Sequence, residues 1–476
     1  MQIISAQEAA SKIHNNSVII PGGFGCCGFP DALSDAISDR YQSEQQPQNL
    51  TLLFASGGGN KAGKGLDKLA FPGLVSRAIG GFWGFCPDLT KMAIDGEIDA
   101  HNWPMGVVSH LFRSMAEGAT GLLSRVGLGT FIDPAIGGGR LNTKSSSLID
   151  EIEVMGKQYL HYPNIGVDFA LLRGTRSDQY GNISMIGEAA LHDAFWQAMA
   201  ARNNGGRVII QVTEVVDTLP KEEVDIPAHL VDFVVVDSSD YRPSYGFDIS
   251  SQLPLSKAKE LIIEEALTLP IPTGSFINFG IGIPAFVGKE VAKTRVDVHT
   301  SIESGIINGI PKEGLSFGEA ETSQCIVQQS DLFSFYNGGG IDIAYLGFAE
   351  FDGLGNINAS YFGDKITGVG GFINIALSAK KIVFCGTFNT NGLDVSESGG
   401  VITINREGRV NKFVERVQQI TVNTKQPEFN NKEIYIITER ASFQVKNGQF
   451  SLIKIKNGIS AESILKQIPF KINVTI

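Results

Sequence analysis

The sequence predicts an α/β fold in which two similar units, each an open and mostly parallel sheet, lie in one chain. Three observations carry this. Short apolar runs rich in Val and Ile alternate with helical patterns along the 476 residues, as expected of strands covered by crossover helices. A strand running into glycines and then a proline occurs twice. One copy is Ser17-Val-Ile-Ile-Pro-Gly-Gly-Phe-Gly25 before Pro30, the other Ser275-Phe-Ile-Asn-Phe-Gly-Ile-Gly282 before Pro284. A D-x-x-G-N turn also recurs, at Asp178–Asn182 and Asp352–Asn356, and in both copies the next apolar strand position (Val208, Ile382) follows the Asn by 26 residues. A shared spacing of this kind points to duplication of one α/β unit.

The elements follow in order. Strands are expected at Ser17–Pro21, Leu50–Ala55, Asp168–Arg173, Arg207–Val212 and Phe233–Asp237, then at Ser275–Phe279, Val296–Ile302, Ile343–Leu346 and Lys381–Gly386. Ala55-Ser56-Gly57 at one strand end answers Glu303-Ser304-Gly305 at the other. The first copy carries an insertion of about 74 residues by this alignment, placed in Gly59–Pro134. Ser, Pro, Asp and Tyr crowd the stretch from Ser238 to Ser256, which reads as a linker and divides the chain into units 1–255 and 256–476. Beyond Asn391 the pattern becomes alternating β, at Val401–Asn405, Glu433–Thr438 and Phe450–Ile455, closed by a helix near Ala461–Gln467.

Composition narrows the function. Lys and Arg number 39 against 50 Asp and Glu, a net charge of −11, which disfavours a nucleic-acid surface. Five cysteines, two of them adjacent at Cys26-Cys27, do not form a disulfide framework and suit a reducing compartment. The N-terminus has Glu8 and no basic segment before an apolar core, so no signal peptide is expected. The uncharged stretch Ala266–Gly288 contains Pro270, Pro272, Pro284, Asn278 and four glycines, which favours strand, loop and helix over a membrane span. A cytoplasmic protein without a membrane partner is expected. Glycine is in excess, 55 of 476, about 12% against an average of about 7%. That excess calls for backbone at positive φ or in close approach to a ligand.

Several motifs bear on chemistry. Gly23-Phe-Gly25-Cys-Cys-Gly28 matches a dinucleotide fingerprint by letter. The following strand ends at Ala55-Ser56 with no acid for a ribose, which leaves a turn serving a phosphate-bearing ligand or a purely structural turn. Gly314-Leu-Ser316-Phe-Gly318 spells a nucleophile elbow, but Pro311-Lys312-Glu313 stands where a strand is required. The seven histidines show no ligand spacing, so no metal is expected. Glu303 is the strongest candidate, because it ends a predicted strand and open α/β sheets bind ligands beyond those ends. The other copy has Ala55 there, so one unit carries a carboxylate and the other does not.

Glu303-Ser-Gly305 before Gly309-Ile-Pro311, with Asn278-Phe-Gly-Ile-Gly-Ile-Pro284 upstream, resembles the catalytic half of the family I CoA transferases. Pro21-Gly-Gly-Phe-Gly25 with Gly28 and Pro30 resembles their other half. Ile79-Gly-Gly81, Gly127-Leu-Gly-Thr-Phe131, Arg173-Gly-Thr175 and Gly368-Val-Gly-Gly-Phe372 are similar to the fused short-chain members of acetate/propionate CoA-transferase type. The resemblance implies two NagB/RpiA-like units and a ping-pong transfer in which Glu303 becomes an acyl anhydride and then a CoA thioester. It implies acyl-CoA and a short-chain carboxylate as partners, no cofactor beyond these substrates, and a homo-oligomer, dimer or tetramer. Gly338, Gly339, Gly340, Gly368, Gly370 and Gly371 become candidates for oxyanion or CoA contacts. Gly23, Gly25, Gly28, Asn60 and Met105 become substrate-pocket candidates. Met105 stands where the family usually carries Gln, and methionine cannot donate a hydrogen bond. The alternatives are an acyl-CoA hydrolase using the same glutamate, or a CoA-binding protein without activity.

Overall fold

The computed structural model describes residues 1–239, 241–246 and 255–476. Two sheets dominate it. The first has eight strands, all parallel, in the spatial order Gln2–Ile4, Phe233–Val236, Arg207–Val212, Phe169–Arg173, Val18–Pro21, Leu50–Ser56, Val75–Phe82 and Asp99–Asn102. The second has ten strands around a parallel core ordered Glu433–Ile437, Lys381–Cys385, Ile343–Leu346, Phe276–Phe279 and His299–Ile302. Antiparallel strands extend both sides of that core. The strand interiors are fully buried, as in Phe169–Arg173 and Ile343–Leu346, which explains their continuous Val, Ile and Leu runs.

Five strands of each sheet share order and register. Val18 pairs with Thr51 as Phe276 pairs with His299. Ile19 pairs with Phe169 as Ile277 pairs with Ile343, and Phe169 with Arg207 as Ile343 with Lys381. An aspartate at the foot of each central strand accepts the neighbouring strand's first amide, Asp168 from Val18 at 2.7 Å and Asp342 from Phe276 at 2.8 Å. Both D-x-x-G-N turns close in the same way. Asp178 Oδ1 accepts the amides of Tyr180, Gly181 and Asn182, and Asp352 Oδ1 accepts those of Leu354 and Asn356. In each turn the Asn side chain returns a bond to the second Asp oxygen.

Several boundaries differ from expectation. The strand before Glu303 begins at His299, not Val296, which is 97% exposed and has no sheet neighbour to cover it. The insertion of the first copy supplies the two outer strands Val75–Phe82 and Asp99–Asn102 and the helix Met105–Ala116. It also continues past Pro134, where Asp150–Val154 and Lys157–Pro163 join Gly121–Ser124 in a three-stranded antiparallel sheet. Of the linker between Ser238 and Ser256, residues 240 and 247–254 lie outside the described set. All strands of the first sheet precede that stretch and all strands of the second follow it.

Candidate active site

Glu303 follows the last residue of strand His299–Ile302, at the carboxyl end of the parallel core. It lines a cavity of about 540 Å³ where the two units meet, within the size range of small-molecule sites. Phe82, Gly84 and Lys61 of the first unit face Gly280, Gly347, Gly386 and the Gly368–Gly371 loop of the second across it. Glu303 Oε2 is shielded from solvent and makes no hydrogen bond of normal geometry with any of the described residues. Burial raises the Glu303 pKa to about 7, and the Gly371 backbone amide partly offsets that rise. A desolvated carboxylate is poorly stabilised, so it holds its proton to near-neutral pH.

The Gly368–Gly371 loop joins the two units. Gly370 N donates to Gly81 O at 3.0 Å, Met105 N donates to Gly370 O at 2.8 Å, and Trp83 N donates to Thr367 O at 2.7 Å. Val369 N donates to Asn102 Oδ1 at 2.9 Å, while Asn102 Nδ2 donates to Gly80 O and Gly81 O. At Gly368, φ is +75°, and a Cβ there would stand 2.7 Å from Gly81 O. Only glycine fits such a close, left-handed approach. At Gly371 a Cβ would stand 2.0 Å from Glu303 Oε2, so the missing side chain makes room for the carboxylate itself.

The predicted oxyanion donors separate. The amides of Gly368 and Gly370 are already committed to Ser360 O and Gly81 O. Gly371 is left as the loop glycine whose amide acts on the carboxylate. Gly338, Gly339 and Gly340 are not brought to the cavity. They terminate helix Gln329–Asn337 and donate their amides to Ser334 O, Tyr336 O and Phe335 O. They also precede strand Ile343–Leu346, at the opposite end of the sheet from Glu303.

None of the predicted pocket residues Gly23, Gly25, Gly28, Asn60 and Met105 lines the cavity; they pack behind its wall in the first unit. Gly23, Gly25 and Gly28 all have positive φ in a turn closed by Phe24 N to Cys27 O and Cys27 N to Phe24 O. The chain itself fills the space beside that turn. A Cβ at Gly318 would stand 2.6 Å from Phe24, and one at Gly28 would stand 2.4 Å from the His192 ring. The dinucleotide reading therefore fails sterically, and the Gly314–Gly318 motif packs there as a short 3-10 turn and the residues after it, with no strand before it. Asn60 uses its Oδ1 to accept the amides of Ala62 and Lys64, shaping the turn that brings Lys61 to the cavity. Met105 is 2% exposed, starts helix Met105–Ala116 and lies behind Gly81 and Gly370, outside the cavity lining.

Sequence reasoning missed the lysines. Lys61, Lys259 and Lys412 line the cavity, and among its described lining residues Glu303 is the only acid. Lys61 lies over the Phe85 ring at 5.1 Å. Lys412 donates to Phe348 O at 3.0 Å and lies over the Phe348 ring at 4.6 Å, with burial lowering its pKa to about 8. Such a cavity suits an elongated anion with apolar stretches. No spacing rule links residues 61, 259 and 412, so only the folded chain shows the cluster.

Comparison with known proteins bears directly on this arrangement. The family model described as Coenzyme A transferase matches residues 3–237. The caffeate CoA-transferase of Acetobacterium woodii is 35% identical over 98% of this chain and 94% of its own. The chain belongs to the coenzyme A transferase family. The acetate CoA-transferase YdiF of Escherichia coli K12 is also 35% identical, over 98% of this chain and 92% of its own. The crystal structure of the YdiF apoenzyme from E. coli O157:H7 superposes with a TM-score of 0.93 at 35% identity, covering 99% of this chain and 93% of that one. A second structure of that enzyme, described as a thioester complex with CoA, gives the same TM-score at 34% identity. This CoA transferase is therefore an enzyme with the α/β architecture of that structure.

Proposed function

We propose that this CoA transferase moves CoA between a short-chain acyl-CoA and a free carboxylic acid through a covalent thioester on Glu303, with ping-pong kinetics. The observation that carries the reading is the half-buried Glu303, whose Oε2 is shielded from solvent at the edge of a cavity that three lysines line. The structure of a relative described as a thioester complex with CoA supports it.

The steps balance without an external energy source. Glu303 attacks the thioester carbonyl, the C–S bond breaks, and an acyl–glutamyl anhydride and CoA thiolate result. The thiolate attacks the glutamyl carbonyl, expelling the first carboxylate and leaving a glutamyl-CoA thioester. An incoming carboxylate attacks that thioester, the displaced thiolate attacks the new acyl carbonyl, and Glu303 departs as a carboxylate. One thioester is exchanged for another, so neither ATP nor a metal is required. Burial suits the task because a desolvated carboxylate is more basic. The amide of Gly371, which already acts on the carboxylate, stabilises in this reading the oxyanion that forms on the glutamyl carbonyl. The lysines at the cavity wall meet the phosphates of CoA.

Incubation with acyl-CoA followed by hydroxylamine trapping and peptide mass spectrometry tests this. A hydroxamate or CoA adduct on Glu303 is expected, and an unmodified Glu303 at full occupancy of acyl-CoA would sink it. CoA release that proceeds at the same rate without any acceptor acid would instead mark a hydrolase.

A further inference from the structure

We propose that Asp193, a residue of the first unit, is a positioning residue for Glu303: it caps in trans the helix of the second unit that backs the reactive carboxylate. The inference rests on the reading of Glu303 as the reacting group.

Helix Gln329–Asn337 begins with Gln328, which provides no side-chain cap. The first amides of any helix lack internal partners and attract an acceptor, preferably an anionic one. Asp193 Oδ1 supplies it across the junction, accepting from Ser330 N at 2.9 Å and from Ser330 Oγ at 2.9 Å. Asp193 is itself the residue before helix Ala194–Asn203, yet its side chain makes no bond to that helix. It is 1% exposed, and the preceding His192 is 2% exposed. His192 and Asp193 both sit at positive φ, 54° and 56°. Two consecutive buried non-glycine residues in that region cost conformational energy, which persists only where surrounding contacts hold it. Here the strained pair turns the carboxylate away from its own helix and onto the other unit's.

The capped helix reaches Glu303 through two side chains. Phe333 and Glu303 Oε2 converge on Gly371, whose Cβ would stand 2.9 Å from the Phe333 ring and 2.0 Å from the carboxylate oxygen. Tyr336 packs edge-on to Phe333 with centroids 5.4 Å apart. Its hydroxyl donates to Ser301 Oγ at 2.8 Å and accepts from Asn278 Nδ2 at 3.1 Å. Ser301 lies on strand His299–Ile302, two residues before Glu303. His110 contacts Ser330 O and Ser334 Oγ, and Arg113 pairs with Asp331 at 3.3 Å, so the first unit also grips the exposed side of this helix. Asp193 secures its buried start, and through Phe333 and Tyr336 it keeps the apolar wall closed on the carboxylate.

The test compares Asp193→Ala, Asp193→Asn and wild type in the full-length enzyme. Asparagine keeps an acceptor oxygen and should retain kcat within about threefold. Asp193→Ala should lower kcat by about 10–100-fold, the scale of a small misplacement at a reacting centre, with KM for acyl-CoA within about twofold. An activity-independent readout accompanies the kinetics. A water-soluble carbodiimide labels protonated carboxyls, and Glu303 labelling near neutral pH, read by mass spectrometry, should fall several-fold in Asp193→Ala and not in Asp193→Asn. Wild-type kcat in a folded Asp193→Ala protein, or unchanged Glu303 labelling, would overturn the inference. If wild-type Glu303 forms no covalent adduct yet the labelling change appears, the positioning stands and the proposed chemistry falls.

Discussion

Ala55 and Glu303 occupy the same place in the two sheets. The register that pairs Val18 with Thr51 pairs Phe276 with His299, and four residues further on each partner strand stand Ala55 and Glu303. Beside them the units diverge again. Relative to the shared turn Asn, helix Phe372–Ser378 begins about one turn later than helix Ala194–Asn203. The missing turn is the Gly368–Gly371 loop, which opens space beside Glu303 where the other unit has helix. One copy therefore lacks the carboxylate, and the other holds Glu303, the proposed reacting group.

Replacing Glu303 by Gln should abolish turnover while raising stability at high pH. The folded pKa of about 7 lies above the model-peptide value of 4.5, so the folded state binds more protons than the unfolded one between these values. Stability then falls as pH rises through that window, and the full penalty is present above it. Glu303→Gln should be more stable than wild type by on the order of 1–3 kcal/mol near pH 8 and indistinguishable near pH 4. Denaturant unfolding at both pH values checks it, and a constant difference would contradict it.

The same titration should appear in the kinetics. The attacking species is the carboxylate, so kcat/KM for acyl-CoA should rise with pH and level off above about 7. A profile already flat from pH 5 upward would mean that Glu303 is ionised throughout.

Gly371→Ala and Gly368→Ala should fail for different reasons. Gly371 has φ −83°, which any residue adopts, and its Cβ would collide with Glu303 and Phe333. Activity should fall by at least about 100-fold with little change in melting temperature. At Gly368 the positive φ and the approach to Gly81 O strain the joint between the units, so melting temperature should drop as well. Paired thermal melts and initial rates separate the two.

Lys259→Ala and Lys61→Ala should raise KM for acyl-CoA several-fold at low salt, with little change in kcat. Both residues are exposed at the cavity, so the effect should shrink above about 0.3 M salt as screening sets in. Lys412→Met is expected to raise KM with less salt sensitivity, because that ammonium is buried against Phe348. Rates at two ionic strengths decide it.

Much of this was legible in the residues. Strand positions such as Arg207–Val212 and Ile343–Leu346 were readable because buried parallel strands demand unbroken apolar runs. The duplication was readable because the Asp178 and Asp352 turns need the same Asp, Gly and Asn at the same spacing to satisfy their own amides. Glu303 stood out because a strand end is a local feature. The glycine excess proved to have several causes that look identical in one dimension. Gly371 makes room for a carboxylate, Gly368 joins two units, Gly340 ends a helix and Gly28 clears a histidine ring. The lysines of the cavity, the Gly371 amide and the Asp193–Ser330 contact were invisible for one reason. They depend on residues far apart in the chain meeting in space, 137 positions apart for Asp193 and Ser330, and no local propensity encodes which loop or which face of one unit will press against another. Sequence determined the two units, the strand ends and the one carboxylate, because those follow from hydrogen-bonding and burial within each unit. Tertiary packing decided which glycine faces that carboxylate and which charges surround it.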